Sequence, residues 1–65
     1  MEIMLNGIAT PVPTPCTIDR LLAERAMQRK VAVEVNGVIV PRGAHASHVL
    51  HEGDRVEIVH ALGGG

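Results

Sequence analysis

Two Asn-Gly pairs, Asn6-Gly7 and Asn36-Gly37, each stand between short runs of alternating apolar residues. A two-residue hairpin turn of type I′ needs positive φ at both central positions, and Asn followed by Gly meets that need at the least steric cost. Each pair therefore predicts a hairpin, and two hairpins in so short a chain leave little room for anything but a small sheet. In the first, Glu2 to Leu5 leads into the turn and Ile8 to Val12 leads out. Ile3 and Leu5 point to the core, and Met4 points outward. Pro11, Pro13 and Pro15 then alternate. Proline has no N–H to donate, so the second strand must be short and lie at an edge. In the second hairpin, Val31, Val33 and Val35 share one face. Val38 to Val40 returns and is ended by Pro41.

Between the hairpins the period changes. Thr17 is a good N-cap for a helix over Ile18 to Met27, with Asp19 in the first turn and Arg29 and Lys30 suited to the far end of the dipole. Ile18, Leu21, Leu22 and Ala26 form its apolar stripe, which Arg25 keeps narrow. No glycine closes the helix in Met27-Gln28-Arg29-Lys30. After Pro41, residues Arg42 to His51 read as a loop with a short helical turn. Glu52-Gly53-Asp54 is a turn and Arg55 to His60 a last strand, with Val56 and Ile58 inward and Val59 outward. The order predicts an α+β domain in which one helix packs on one face of a mixed sheet. The first and last strands lie side by side in the middle.

The chain has 65 residues, one cysteine, no aromatic residue and a formal net charge of −1. A domain of this size buries only about 60% of its unfolded surface, and here no disulfide within the chain can help. The core must be aliphatic. Aromatic platforms for stacking bases are absent, and the charge is too balanced for a phosphate-tracking groove, so no nucleic-acid partner is expected. A single thiol and no leader pattern suggest a reducing cytoplasm, and no apolar run is long enough to span a bilayer.

Little in the body offers chemistry. His45, His48 and His51 are three apart, but they share a face only on a helix, which Gly43, Ser47 and Val49 do not favour. They read as solvated loop histidines, with no metal expected. Cys16 lies just before the helix but has no base near it in sequence, so it reads as an incidental thiol. No phosphate-binding glycine loop and no Cys-x-x-Cys occur. An enclosed substrate pocket is not expected at this size, so the chain is not expected to be an enzyme.

The remaining feature is Leu62-Gly63-Gly64-Gly65. Glycine pays the most entropy to order and packs nothing, so a tail over 63–65 adds nothing to a folded body over 1–62. Such a tail suits a narrow site on another protein. There its carboxylate can be activated, with the body supplying binding energy away from the reacting atoms. Met4, Val59 and Leu62 are the candidate docking residues.

The chain resembles the ThiS family of ubiquitin-like sulfur carriers in thiamine biosynthesis. The residues that carry the likeness are Met4-Leu5-Asn6-Gly7, Thr17-Ile18 with Leu21-Leu22, the run Val31 to Arg42, Leu50, and the run Glu52 to Gly65. The resemblance implies a β-grasp fold. It also implies that a ThiF-like adenylyltransferase uses ATP to adenylate the Gly65 carboxylate, the chain itself binding no cofactor. Conversion to a thiocarboxylate would follow, with sulfur from a donor such as a cysteine desulfurase relay. Delivery would be to a ThiG-like thiazole synthase. Gly64 and Gly65 correspond to the family's terminal Gly-Gly, and Gly63 is compatible with it. Competing readings are a MoaD-like carrier for molybdopterin synthesis, a protein modifier joined through Gly65, and a structural module that needs no tail.

Overall fold

The computed structural model describes residues 1–27 and 31–60. Five strands form one sheet: β1 (Glu2–Leu5), β2 (Ile8–Pro11), β3 (Val31–Val35), β4 (Val38–Val40) and β5 (Arg55–His60), in the order β2-β1-β5-β3-β4. One helix, α1 (Ile18–Glu24), and a single 3₁₀ turn (Arg42–Ala44) complete the elements. Both Asn-Gly pairs turn as expected. Asn6 and Gly7 have φ of 50° and 82°, and Asn36 and Gly37 have 52° and 85°.

The last strand is the middle of the sheet. β5 runs parallel to β1, with Leu5 opposite Val56, and antiparallel to β3, with Val33 opposite Ile58. The hairpins thus contribute the two flanks, and β5 joins them. β2 is an edge strand in which Pro11 lies opposite Glu2. Val12 continues the pairing by exchanging backbone bonds with Met1 at 2.8 and 3.0 Å. Since paired residues on antiparallel strands alternate between bonded and non-bonded positions, Pro11 falls at a non-bonded one and its missing N–H costs no ladder bond.

One face of the sheet is covered. Ile3, Leu5, Val33, Val35, Val40, Val56 and Ile58 point into it and meet Ile18, Leu21 and Leu22 of α1, with Cys16, Val12 and Leu50 filling the sides. At about 1.5 Å per residue, seven helical residues reach only about 10 Å. The ends of the hairpins therefore stay uncovered. Ile8 and Val38, each just past its turn, are exposed although they share the core face by register.

The helix ends sooner than its stripe suggests. Arg25 is the C-cap and Ala26 takes φ of +55°. Ala26 N–H donates to Ala23 O at 3.2 Å and Met27 N–H to Leu22 O at 2.8 Å, which together make a Schellman closure. Glycine is the usual residue at the left-handed position, and an alanine there hid the stop. Ala26 is consequently exposed and does not belong to the buried stripe. Arg29 and Lys30, expected at the helix end, lie outside the described residues.

At its start the helix borrows from the loop. Thr17 Oγ1 accepts from Arg20 N at 3.1 Å, while Ile18 N donates to His48 O at 3.1 Å and Asp19 N to His45 O at 3.0 Å. The first free N–H groups of a helix need partners when buried, and here one side chain and two distant carbonyls supply them.

Candidate functional site: the open sheet face and the strand that leads to the tail

The face of the sheet away from α1 has no covering layer among the described residues. Met4 of β1, Ala32 and Glu34 of β3, Ile39 of β4, and Arg55, Glu57 and Val59 of β5 all point to it by register. Met4 is 39% exposed, Ile39 59% and Val59 61%. A shallow depression is lined by Ala32, Glu34, Ile39, Arg55, Glu57 and Val59, and a smaller one by Met4, Gly7, Arg55 and Glu57. Among the described residues the one ion pair is Arg20–Glu24 at 3.2 Å, on the exposed side of α1. Arg55, Glu34 and Glu57 thus give the open face a charged centre, with aliphatic groups around it.

Met4 and Val59 share this face without touching the same spot. Met4 stands opposite Arg55 at the start of β5, and Val59 stands opposite Ala32 near its end. Four residues of strand separate the two levels, about 13 Å at the usual rise. Ile39, opposite Glu34, is a third aliphatic group on this face that the sequence reading did not single out. Its signal was present: in Val38-Ile39-Val40 the middle residue must face away from its neighbours. Leu62, Gly63, Gly64 and Gly65 lie outside the described residues, and so does the boundary between a body over 1–62 and a tail.

The histidines are not a solvated set. His45 is buried, and its Nε2 lies 3.0 Å from Val40 O, so that nitrogen carries the proton and donates. The 3₁₀ turn folds back beneath the end of β4 and carries the ring inward, an arrangement that a run of small polar residues does not advertise. His48 is half-buried and His51 exposed. No grouping of His, Cys, Asp or Glu able to hold a metal occurs among the described residues. The role of the His45–His48 stretch is to cap α1 through its carbonyls.

Cys16 is buried in the core, with its Sγ 3.5 Å from Thr17 O. Burial pushes its thiol above the ordinary value of 9.0. Glu24 adds to the rise and Arg20 opposes it. A thiol held protonated inside an aliphatic core is a poor nucleophile, consistent with an incidental cysteine. No described helix is long and apolar enough to cross a membrane.

A mixed five-stranded sheet folded around one helix, with its first and last strands paired in parallel at the centre, defines a ubiquitin-like β-grasp domain. The crystal structure of the thiamine biosynthesis protein ThiS from Geobacter metallireducens superposes with a TM-score of 0.86 at 29% identity, covering all of both chains. A solution structure of a thiamine biosynthesis protein from the same organism gives 0.80 at 30% identity, covering all of this chain and 88% of that one. Residues 3–65 match the ThiS family, and the chain belongs to it. Two curated relatives are thiazole synthases, from Paramagnetospirillum magneticum at 39% identity and Magnetococcus marinus at 41%. Each matches the whole of this chain, which spans about a fifth (20%) of their length.

Proposed function

We propose that this chain is a sulfur carrier for thiazole formation in thiamine biosynthesis, working through the carboxylate of Gly65. The observation that carries the reading is that the ThiS match runs through Gly65, so the glycine end belongs to the family pattern along with the fold. In this reading a ThiF-like enzyme brings ATP to the tail. The carboxylate attacks the α-phosphorus, pyrophosphate leaves, and the acyl-adenylate is then open to a sulfur nucleophile with AMP as leaving group. Glycine leaves the carbonyl carbon unhindered. The sulfur comes from a donor such as a cysteine desulfurase relay, and the thiocarboxylate passes it to a ThiG-like thiazole synthase. ATP serves the activating enzyme and is not a cofactor of this chain.

Two thiazole synthases that each contain a segment like this whole chain support that last partner. A module found within the same polypeptide as a synthase in some proteins is suited to meet one as a separate chain. The open face, with Met4, Ile39 and Val59 around Arg55 and Glu57, is the docking surface of this reading. Docking there supplies binding energy remote from the reacting atoms.

Intact-mass measurement after incubation with the activating enzyme, ATP and a sulfur source tests the proposal. One carboxylate oxygen of Gly65 should be exchanged for sulfur. An unchanged mass, with a known carrier converted in parallel, would sink it. Co-purification with a molybdopterin synthase subunit in place of a thiazole synthase would redirect the same chemistry to a MoaD-like role. A ladder of larger adducts in cell extract would indicate a protein modifier.

A further inference from the structure

β5 is flanked on both sides, but both hairpins turn away from it, and at each turn an asparagine side chain takes over from the backbone. At the start of β5, Asn36 N–H donates to Arg55 O at 2.8 Å and Asn36 Oδ1 accepts from Arg55 N at 3.0 Å, while Nδ2 donates to Asp54 Oδ1 at 3.1 Å. Toward the other end, Asn6 N–H donates to Val56 O at 2.8 Å. Its Oδ1 accepts from Ile58 N at 2.8 Å and its Nδ2 donates to Ile58 O at 3.3 Å. A carboxamide presents the same C=O and N–H as a peptide group. Asn6 therefore supplies to Ile58 the C=O and the N–H that the backbone of β1 would have supplied had the chain gone straight on.

The two clamps differ in what they hold. Asn36 fixes the end of β5 that follows the Gly53 turn, which Met4 N also holds through Asp54 O at 2.9 Å. Asn6 fixes Ile58, past the last paired residues of β1, since the β1–β5 register stops at Leu5 and Val56. On the other side of β5, Ala32 and Val31 pair with Val59 and His60. Removing the Asn6 amide would leave the strand attached to β3 alone over the residues that lead into the tail.

We infer that Asn6 is a positioning residue for the chemistry at Gly65. By pinning Ile58 on the side that β1 has abandoned, it makes the end of β5 a fixed launching point for the tail. The inference rests on the carrier reading above. It separates two functions of the body: the open face governs how tightly a partner holds the domain, and the Asn6 clamp governs where the tail goes once it is held.

The test uses the full chain with Asn6→Gly and, as a matched control, Asn36→Gly. Glycine takes positive φ freely, so both variants keep their turns and lose only the amide. Two readouts are needed. Amide hydrogen exchange by NMR should be about tenfold or more faster at Ile58 in Asn6→Gly and unchanged at Val33; misplaced reacting groups can cost that much or more in rate, so kcat for conversion by the activating enzyme should fall by about tenfold with KM little changed. Asn36→Gly should leave kcat and the exchange at Ile58 as in the parent. Parent-like exchange at Ile58 in Asn6→Gly, a parent-like kcat, a fall confined to KM, or an equal loss of kcat in Asn36→Gly would each overturn the inference. A parent chain that is never converted overturns the carrier reading and the chemical role together. A converted parent with an unaffected Asn6→Gly overturns the positioning role alone.

Discussion

On the covered face of the sheet, Ile3, Leu5, Val33, Val35, Val56 and Ile58 are all buried against α1; on the open face, Met4, Ile39 and Val59 stand 39%, 59% and 61% exposed around Arg55 and Glu57. The strands are the same and the residue types overlap, so strand propensity does not distinguish the faces. What distinguishes them is charge. No charged side chain points to the core face from these strands, while the open face alternates aliphatic groups with Glu34, Arg55 and Glu57. A face closed by its own helix holds the domain together. In the carrier reading proposed above, the face left aliphatic at the rim and charged at the centre is the one a partner covers intermittently.

The widest separation between the faces should appear with Leu21→Ala, which opens a cavity beneath the sheet. It should cost about 2–5 kcal/mol and lower the thermal midpoint accordingly, measured by circular dichroism. A loss below about 1 kcal/mol would mean that the helix is not the main cover. Val59→Asp should do the reverse. Binding to the activating enzyme or the thiazole synthase, followed by calorimetry, should weaken about tenfold or more, equivalent to about 1.4 kcal/mol. The thermal midpoint should stay put, since surface changes away from special features stay within about 0.5 kcal/mol. If Val59→Asp instead unfolded the domain, the two faces would not be separable in this way.

Ala26→Gly tests how the covering layer ends. Relieving a left-handed alanine at the Schellman position should stabilise the domain by up to about 1 kcal/mol, seen as a raised urea midpoint with an unchanged slope. No gain would mean that Ala26 leaves that conformation in solution. The smallest effect is the alkaline one. The Cys16 pKa is raised on folding by burial, so the folded chain keeps a proton that the unfolded chain gives up. The stability this contributes is full below the unfolded value of 9.0 and is lost as pH rises through the folded value. Cys16→Ala should abolish that extra alkaline slope in a pH series of urea melts.

The hairpins were legible because Asn-Gly and the alternation around it are local signals that the tertiary structure had no reason to override. Thr17 and the stripe Ile18, Leu21 and Leu22 were legible on the same ground. The stop at Arg25 was not, because Ala26 adopts a glycine's conformation without being glycine. His45 was misread for a different reason. Its burial depends on a 3₁₀ turn bringing it under β4 and on α1 needing the carbonyls of His45 and His48, and neither contact is local in sequence. On the open face, Met4 and Val59 followed from the alternation alone. Their separation along β5 required the parallel register of β1 against β5, which a sequence pattern does not specify.

That register has a mechanical side. In the carrier reading, a partner that draws the glycine end into its own site would pull on β5 along the strand axis. Antiparallel ladder bonds lie across the strands, and the slanted parallel ones are held on the opposite flank, so an axial pull loads them side by side instead of opening them one after another. With β5 in the central place between β1 and β3, such a pull would meet the ladder bonds of both neighbours together, so the domain would resist unzipping from that end.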